Sequence, residues 1–424
     1  MREAKADFRA AIVLTTCLFF LWGMANNLND ILIAQFRKAF VLSDFETSFV
    51  QQSFYLGYFL LAVPAAMVTR RYGYKVAILA GLLLYAAGAL LFYPAAHVGE
   101  YRYFLAALFV IAAGLAFLET SANPLMTETG DPAGAARRLN WAQAANPVGT
   151  VTGVLIGKFF ILSAIAHDDA ALAAMAPAAR DALLRQEVVA VQTPYLVIGL
   201  VVLGFAAAAA LIRFPGQAAD TAAGEVAPFS AVFRRPRLLK AAAAQFFYVG
   251  AQVGLWSYTI RYAQANLPGT SERIAADWLF ASLVLFGVGR FAGAWLMGRI
   301  APPLLLAMFA AISLALAATA GLVGGTAGLI ALTATSFFMS IQFPTIFALG
   351  MAGLGPLARA GASLIVMAII GGAALTALMG AVSDMAGINA AMLVPATAFV
   401  AVLLFALSAR RSGVTIDPAT ATAH

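Results

Sequence analysis

The sequence predicts an all-α integral membrane protein of about twelve transmembrane helices. Apolar residues make up 62% of the chain and charged residues 11%, with a mean hydropathy of +0.89, and no water-facing surface can be built from such a composition. Apolar runs of roughly 20 residues, the length that crosses a ~30 Å hydrocarbon core as helix, recur along the whole chain. Runs such as Leu79–Leu91 are apolar all round and lack the alternation of a barrel strand, so helix is the only spanning form left.

The first span, 10–34, follows the short polar start Met1–Arg9. It is too long for a cleavable leader and has no small-residue cleavage site, so it stays as the first helix. It holds Cys17, the single cysteine, which excludes an intramolecular disulfide and a cysteine metal site. Spans two and three, 47–69 and 75–94, are separated by a basic turn with Arg70, Arg71 and Lys75. Spans four to six follow at 103–127, 139–163 and 192–212, and the alanine-rich connection 164–191 is expected to carry a short surface helix. A polar, proline-bearing stretch then precedes spans seven to twelve, at 239–264, 275–298, 303–323, 326–351, 360–384 and 388–409.

This order divides the chain into a six-helix bundle over 1–213, a cytoplasmic linker over 214–238, and a second six-helix bundle with a short tail over 239–424. Pro124, Gly130 and Arg138 in and after span four are echoed by Pro344, Gly350 and Arg359 around span ten. Such an echo is expected of two pseudo-symmetric bundles with a cavity between them. Gly149, Gly153 and Gly157 on span five, and Gly289 and Gly293 on span eight, recur at four-residue steps and predict close backbone packing.

The net charge of +7 marks topology and does not point to nucleic acid. With the N-terminus inside, basic residues crowd the cytoplasmic connections, whereas the opposite side holds Arg37, Lys38, Arg102, Arg180, Arg185 and Arg273. This asymmetry predicts that both termini are cytoplasmic.

Most acids, such as Glu46, Glu128, Asp277 and Asp384, sit in loops or at span ends, and two do not. Asp30 lies late in span one, toward the outer side, and Glu119 lies two-thirds of the way through span four, toward the inner side. An ionised carboxylate in a bilayer costs at least ~3 kcal/mol, so such residues face a cavity and are functional candidates. At about 100° per residue, Phe19, Trp22, Asn26, Asn29 and Asp30 share one sector of span one. On span four, Glu119 and Asn123 are four apart and share a face. Asn140, Gln143 and Asn146 form a polar stripe on span five, and Gln245, Tyr248, Gln252, Trp256 and Thr259 form another on span seven.

These stripes are uncharged amides with aromatic planes, which suits a neutral, hydroxyl-rich ligand. An amide can both donate to and accept from a sugar hydroxyl, and an aromatic face can cover the C–H side of the ring. Lys158, Arg261 and Arg290 are the basic residues within spans, and packing or interfacial roles are assigned to them. His97, His167 and His424 all lie in loops or the tail, so any proton relay must use carboxylates. No metal-ligand cluster and no phosphate-cradling loop is present, which argues against ATP-driven pumping and against a cofactor.

Four segments carry a resemblance. Phe19-Phe-Leu-Trp-Gly-Met-Ala-Asn-Asn-Leu-Asn-Asp-Ile-Leu32, Phe117-Leu-Glu-Thr-Ser-Ala-Asn-Pro124, Asn140-Trp-Ala-Gln-Ala-Ala-Asn146 and Met339-Ser-Ile-Gln-Phe-Pro-Thr-Ile-Phe347 resemble the L-fucose/proton symporter family of the major facilitator superfamily. The superfamily's loop motif between spans two and three is degenerate, with Arg70 where an acid is usual.

The resemblance implies the major facilitator fold, alternating access, and proton-coupled uptake of a monosaccharide across a bacterial-type inner membrane. It assigns Asp30 and Glu119 as coupling acids and Asn27, Gln143 and Asn146 as sugar contacts; Trp22, Asn26, Asn123, Gln245, Gln252 and Trp256 from the polar faces, with Gln342 and Phe343, complete the candidate binding set. Where the fucose-specific relatives are expected to carry tyrosine, this chain has Phe343. That departure keeps glucose, galactose and N-acetylglucosamine as alternatives to L-fucose.

A drug exporter of the same fold fits the amides poorly, and a membrane-embedded enzyme would need a catalytic pair that Asp30 and Glu119, at different depths, do not make. The implied partners are a monosaccharide, the proton as coupling ion and the lipid bilayer, with no nucleic acid and no resident cofactor, in a chain that works as a monomer.

Overall fold

Prolines and glycines, more than loops, decide where the helices of this chain stop. The computed structural model describes residues 9–42, 44–129, 131–161, 175–214, 229–270 and 272–411. Helix α1 is Arg9–Phe40, α2 is Asp44–Val98 and α3 is Tyr101–Glu128; α4, Ala135–Gln143, and α5, Ala145–Ile156, follow, and a π turn over Gly157–Ile161 ends α5. Then come α6 (Pro177–Val189), α7 (Gln192–Leu211), α8 (Pro236–Asn266), α9 (Glu272–Leu296), α10 (Pro302–Val323), α11 (Gly325–Met339) and α12 (Gln342–Met351). The last four are α13 (Ala358–Met367), α14 (Gly371–Ala386), α15 (Ile388–Ala391) and α16 (Leu393–Arg411).

Proline lacks the N–H that the carbonyl four residues earlier needs, and its ring crowds that carbonyl. Pro147, Pro194, Pro344 and Pro395 each sit four residues after the last residue of a helix or the one following it: Gln143, Ala190, Ser340 and Ala391. One chemical cause therefore splits spans five, ten and twelve and separates α6 from α7. The reverse happens in α2, where spans two and three run on as one helix except at Gly73. Its φ of 82° and ψ of 173° need a residue without Cβ and break the axis between them.

Among the described residues, ten helical stretches are long and apolar enough to cross a membrane. One of them, Phe49–Val98, is 50 residues long and contains spans two and three. Helix α8 is the further span; its polar stripe makes it the least apolar of the long helices, and it lies outside those ten. The predicted spans are thus found in order. The surface helix expected between spans five and six is α6, while 162–174 lie outside the described residues.

The chain separates into two compact units, Met1–Glu119 with Val148–Ala218, and Thr120–Pro147 with Ala219–His424. The stretch 120–147 therefore groups with the second half of the sequence. In the first unit, Phe92 stacks on Tyr195 with ring centroids 3.8 Å apart, and Phe36 lies 4.9 Å from Phe104, forming an aromatic core between α1, α2, α3 and α7.

The second unit is built around α8, which packs on α9, α12, α14 and α16. Two of its tyrosines close the ends of other helices. Tyr248 donates to the Met339 carbonyl at 2.9 Å and Tyr262 to the Ala320 carbonyl at 2.6 Å, each satisfying a last-turn oxygen of α11 or α10 that has no intrahelical partner. A reciprocal amide pair, Asn266 and Asn389, closes the same unit at 2.7 and 3.2 Å, and Asn266 also accepts from the Gly325 N–H at 2.7 Å.

The glycine steps act as the sequence predicts. A Cβ on Gly149 would run into the Phe20 carbonyl, one on Gly153 would lie 2.7 Å from the Met24 carbonyl oxygen, and one on Gly157 would strike Ile31. Span five thus rests on the backbone of span one. On α9, Gly289 and Gly293 meet Phe337 and Ile341 in the same way. The Gly149→Val substitution is expected to destabilise the fold by about 3 kcal/mol or more, because the obstacle is backbone that cannot rotate away. Gly204→Ala, with nothing within 4 Å, should be neutral or slightly stabilising. Thermal unfolding of the detergent-purified variants, followed by size-exclusion fluorescence, checks both.

Candidate functional site

The first unit brings together Trp22, Asn26, Asn27 and Glu119. The two asparagines and Trp22 are half-buried on α1, and Asn27 donates to the Gly23 carbonyl at 3.5 Å within the helix. The Trp22 indole N–H donates to the Tyr58 hydroxyl of α2. That hydroxyl, 1% exposed, lies within coulombic reach of Glu119 on α3, itself 3% exposed. Because the Tyr58 oxygen already accepts from Trp22, its own hydrogen remains to be given to an acceptor. Asp30 follows on α1, but its side chain lies outside the described residues.

The second unit collects most of the amides. Asn123 and Gln143 are buried, and the Gln143 Nε2 donates to the Asn123 Oδ1 at 2.9 Å. The Arg290 guanidinium of α9, 3% exposed, donates to the Gln143 Oε1 at 2.9 Å. Pro147 places this cluster where α4 ends, so Gln143 sits on the last turn before the break and can turn its amide across to α3 and α9. One turn back, Asn140 donates to Thr345 Oγ1 at 3.2 Å on α12. Asn146, half-buried at the start of α5, lies just beyond the same break.

Aromatic residues surround these amides. Trp256 donates to Ser336 Oγ at 3.1 Å and packs edge-on against Phe286 at 5.0 Å, and the Phe286 ring in turn lies 5.0 Å from the Arg290 guanidinium carbon. Phe343, on the first turn of α12, meets Tyr248 edge-on at 6.4 Å. Gln342 donates to Ser313 Oγ and to the Phe338 carbonyl, each at 3.0 Å, which leaves its Oε1 without a hydrogen-bond partner among the described residues. Gln245 is fully buried with neither amide atom partnered among those residues, and Gln252 is half-buried two turns along the same face. A cavity of about 630 Å³ in the first unit, walled by Ile156, Phe160, Val189, Pro194 and Val197, holds none of the predicted site residues.

The Major Facilitator Superfamily pattern matches residues 14–370. The chain belongs to this superfamily. It is 46% identical to the L-fucose-proton symporter of Escherichia coli (strain K12) over 92% of this chain and 90% of that one. It is 33% identical to the glucose/galactose transporter of Brucella abortus biovar 1 (strain 9-941) over 97% of this chain and 96% of that one. A crystal structure of a Major Facilitator Superfamily transporter, FucP, in the outward conformation superposes with a TM-score of 0.87 at 44% identity, covering 95% of this chain and 99% of that one.

Within this superfamily member, two groups escape a reading of the sequence alone. Arg290, expected to pack or to sit at an interface, is buried as a packing role requires, and it also donates to Gln143. The available signal was its place beside Gly289 and Gly293, small residues that let a neighbouring helix approach the adjacent face of α9. Tyr58 does not stand out in the sequence, since Gln51, Gln52, Ser53 and Tyr55 precede it in the same span. Arg261 does keep to the surface, its guanidinium 5.6 Å from the Tyr258 ring, and the Lys158 side chain lies outside the described residues. Gln143→Leu should lower stability by about 3 kcal/mol, since it strands both the Arg290 charge and the Asn123 oxygen in a buried site. Unfolding of the purified variant reads this, and an unchanged midpoint would contradict the network.

Proposed function

We propose that this transporter is a proton-coupled symporter that imports a neutral monosaccharide, L-fucose, across the inner membrane by alternating access. The observation that carries the reading is a buried carboxylate, Glu119, and a set of buried amides in one chain that matches an L-fucose-proton symporter over nearly its whole length. Asn27, Gln143 and Asn146 contact the sugar, and Trp22, Asn26, Asn123, Gln245, Gln252, Trp256, Gln342 and Phe343 line its path. Each amide offers both a donor and an acceptor, so a pyranose with several hydroxyls can be held without a charge on the ligand. The ring planes cover its apolar face.

Asp30 and Glu119 move the proton. An ionised carboxylate costs at least ~3 kcal/mol in a hydrocarbon setting, so the loaded carrier reorients with its acids neutralised and cannot readily do so with them ionised. Protonation from the outer side, reorientation, and release on renewed hydration at the inner side couple sugar entry to the proton gradient. Each charge moved contributes ~2.3 kcal/mol per 100 mV of membrane potential. Asp30, nearer the outer face, gates protonation, and Glu119 links it to sugar contact.

In this reading the bundles 1–213 and 239–424 rock about the site, joined by 214–238, with both termini cytoplasmic as the basic connections favour and the single chain as the working unit. One observation favours a second reading within the same chemistry. Phe343 supplies a ring edge and no hydroxyl, which leaves room for glucose or galactose.

Uptake of labelled L-fucose, D-galactose and N-acetylglucosamine into proteoliposomes, with and without an inward proton gradient, tests the function. Gradient-driven accumulation of L-fucose above the other two is expected, and accumulation insensitive to the gradient would refute symport. Asp30→Asn and Glu119→Gln should each abolish uphill uptake, while at least one retains sugar binding or counterflow, because a neutral side chain imitates the protonated acid. Concentrative uptake by Asp30→Asn with normal proton movement would overturn its role. Phe343→Tyr should reorder the sugars in competition assays by about tenfold or more while leaving thermal stability unchanged.

A further inference from the structure

We propose that Arg290 is a positioning residue that fixes the hydrogen-bond polarity of the Gln143–Asn123 pair, so that Asn123 meets the ligand as a donor and not as an acceptor. The inference rests on the sugar-transport reading and deepens it. It begins from a buried charge with no obvious use. Arg290 is 3% exposed, no carboxylate pairs with it among the described residues, and its Nε has no hydrogen-bond partner there. Helix packing alone would be served better by an apolar side chain, since burying an unpaired cation is costly.

The geometry gives the charge a task. A guanidinium has only donors and stays protonated. Its N–H group lies 2.9 Å from one end of the Gln143 amide, so that end must be the oxygen; the opposite orientation would set N–H against N–H. With Oε1 fixed there, the planar amide turns Nε2 toward Asn123, and the atom 2.9 Å away must be the acceptor Oδ1. Asn123 is then fixed in turn. Its oxygen is occupied and its Nδ2, fully buried, has no partner among the described residues.

One permanently charged group thus orders two amides that would each otherwise be free to flip, and the free end of the row is an N–H pair. The ligand atom it recognises is an acceptor: a ring oxygen, or a hydroxyl whose own hydrogen is engaged elsewhere. Uncharged amides alone would accept either orientation of a hydroxyl. The arginine removes that tolerance at one position and makes Asn123 a specificity-determining residue.

Three variants and a cycle test this, with L-fucose titrated calorimetrically into detergent-purified protein. Arg290→Lys keeps a donor-only group and should bind within a few-fold of the parent, whereas Arg290→Gln, which can itself flip, should weaken binding at least about tenfold. Asn123→Ala should weaken it similarly, and adding Arg290→Gln to Asn123→Ala should cost little more, because Arg290 acts through Asn123.

Parent-like affinity in Arg290→Gln, equal losses in the Lys and Gln variants, or additive losses in the double variant would each overturn the inference. If the parent bound none of the sugars, the transport reading would fail and the polarity would be judged without ligand. Thermal midpoints of the same four proteins of the cycle should then remain non-additive, and additive midpoints would overturn the inference as well.

Discussion

A peptide group inside a hydrocarbon layer has no water to turn to, and most of this structure follows from that constraint. Every carbonyl freed by a proline or a helix end must find another donor within the protein. Tyr248 and Tyr262 supply theirs to α11 and α10, and Arg138 spans the end of α3 by donating to the Thr127 carbonyl at 3.1 Å and the Asp131 carbonyl at 2.6 Å. Polar side chains on α8 are therefore not spare capacity for ligand alone. Some hold the broken helices together, and those left over are the ones that can serve a substrate.

The same constraint explains how far the sequence could be read. Span positions depend on a run of apolar residues long enough to cross the core, a strong and local signal, and even the merged pair in α2 divides where Gly73 and the neighbouring arginines mark a turn. The inward faces were legible because amides such as Gln143 and Asn123 stand out in an apolar run. Which amide meets which was not legible. The partnership of Gln143 with Arg290 spans 147 positions in sequence and depends on where α4 ends, which no periodicity reveals.

Arg290 also shows why residue type misleads in a membrane. An arginine within a span can usually reach an interface along its flexible stem, and for Arg261 that expectation holds. On α9 the glycines beside Arg290 let the neighbouring helix come close, and the arginine is 3% exposed with its guanidinium on Gln143. Tyr58 was obscured for the opposite reason: a phenol is common in apolar cores, and only its neighbours Trp22 and Glu119 distinguish it.

The seat of span five on span one is made by backbone, with Gly149 and Gly153 against the carbonyls of Phe20 and Met24. Contacts of that kind do not depend on which side chains project from the other faces of either helix. Residues such as Trp22 and Asn26 can therefore be exchanged in the course of divergence without the frame having to be rebuilt around each change. Under the proposed assignment of these residues to the sugar's path, such a joint lets a lineage try new cargoes one substitution at a time, because the frame and the lining are held by different contacts.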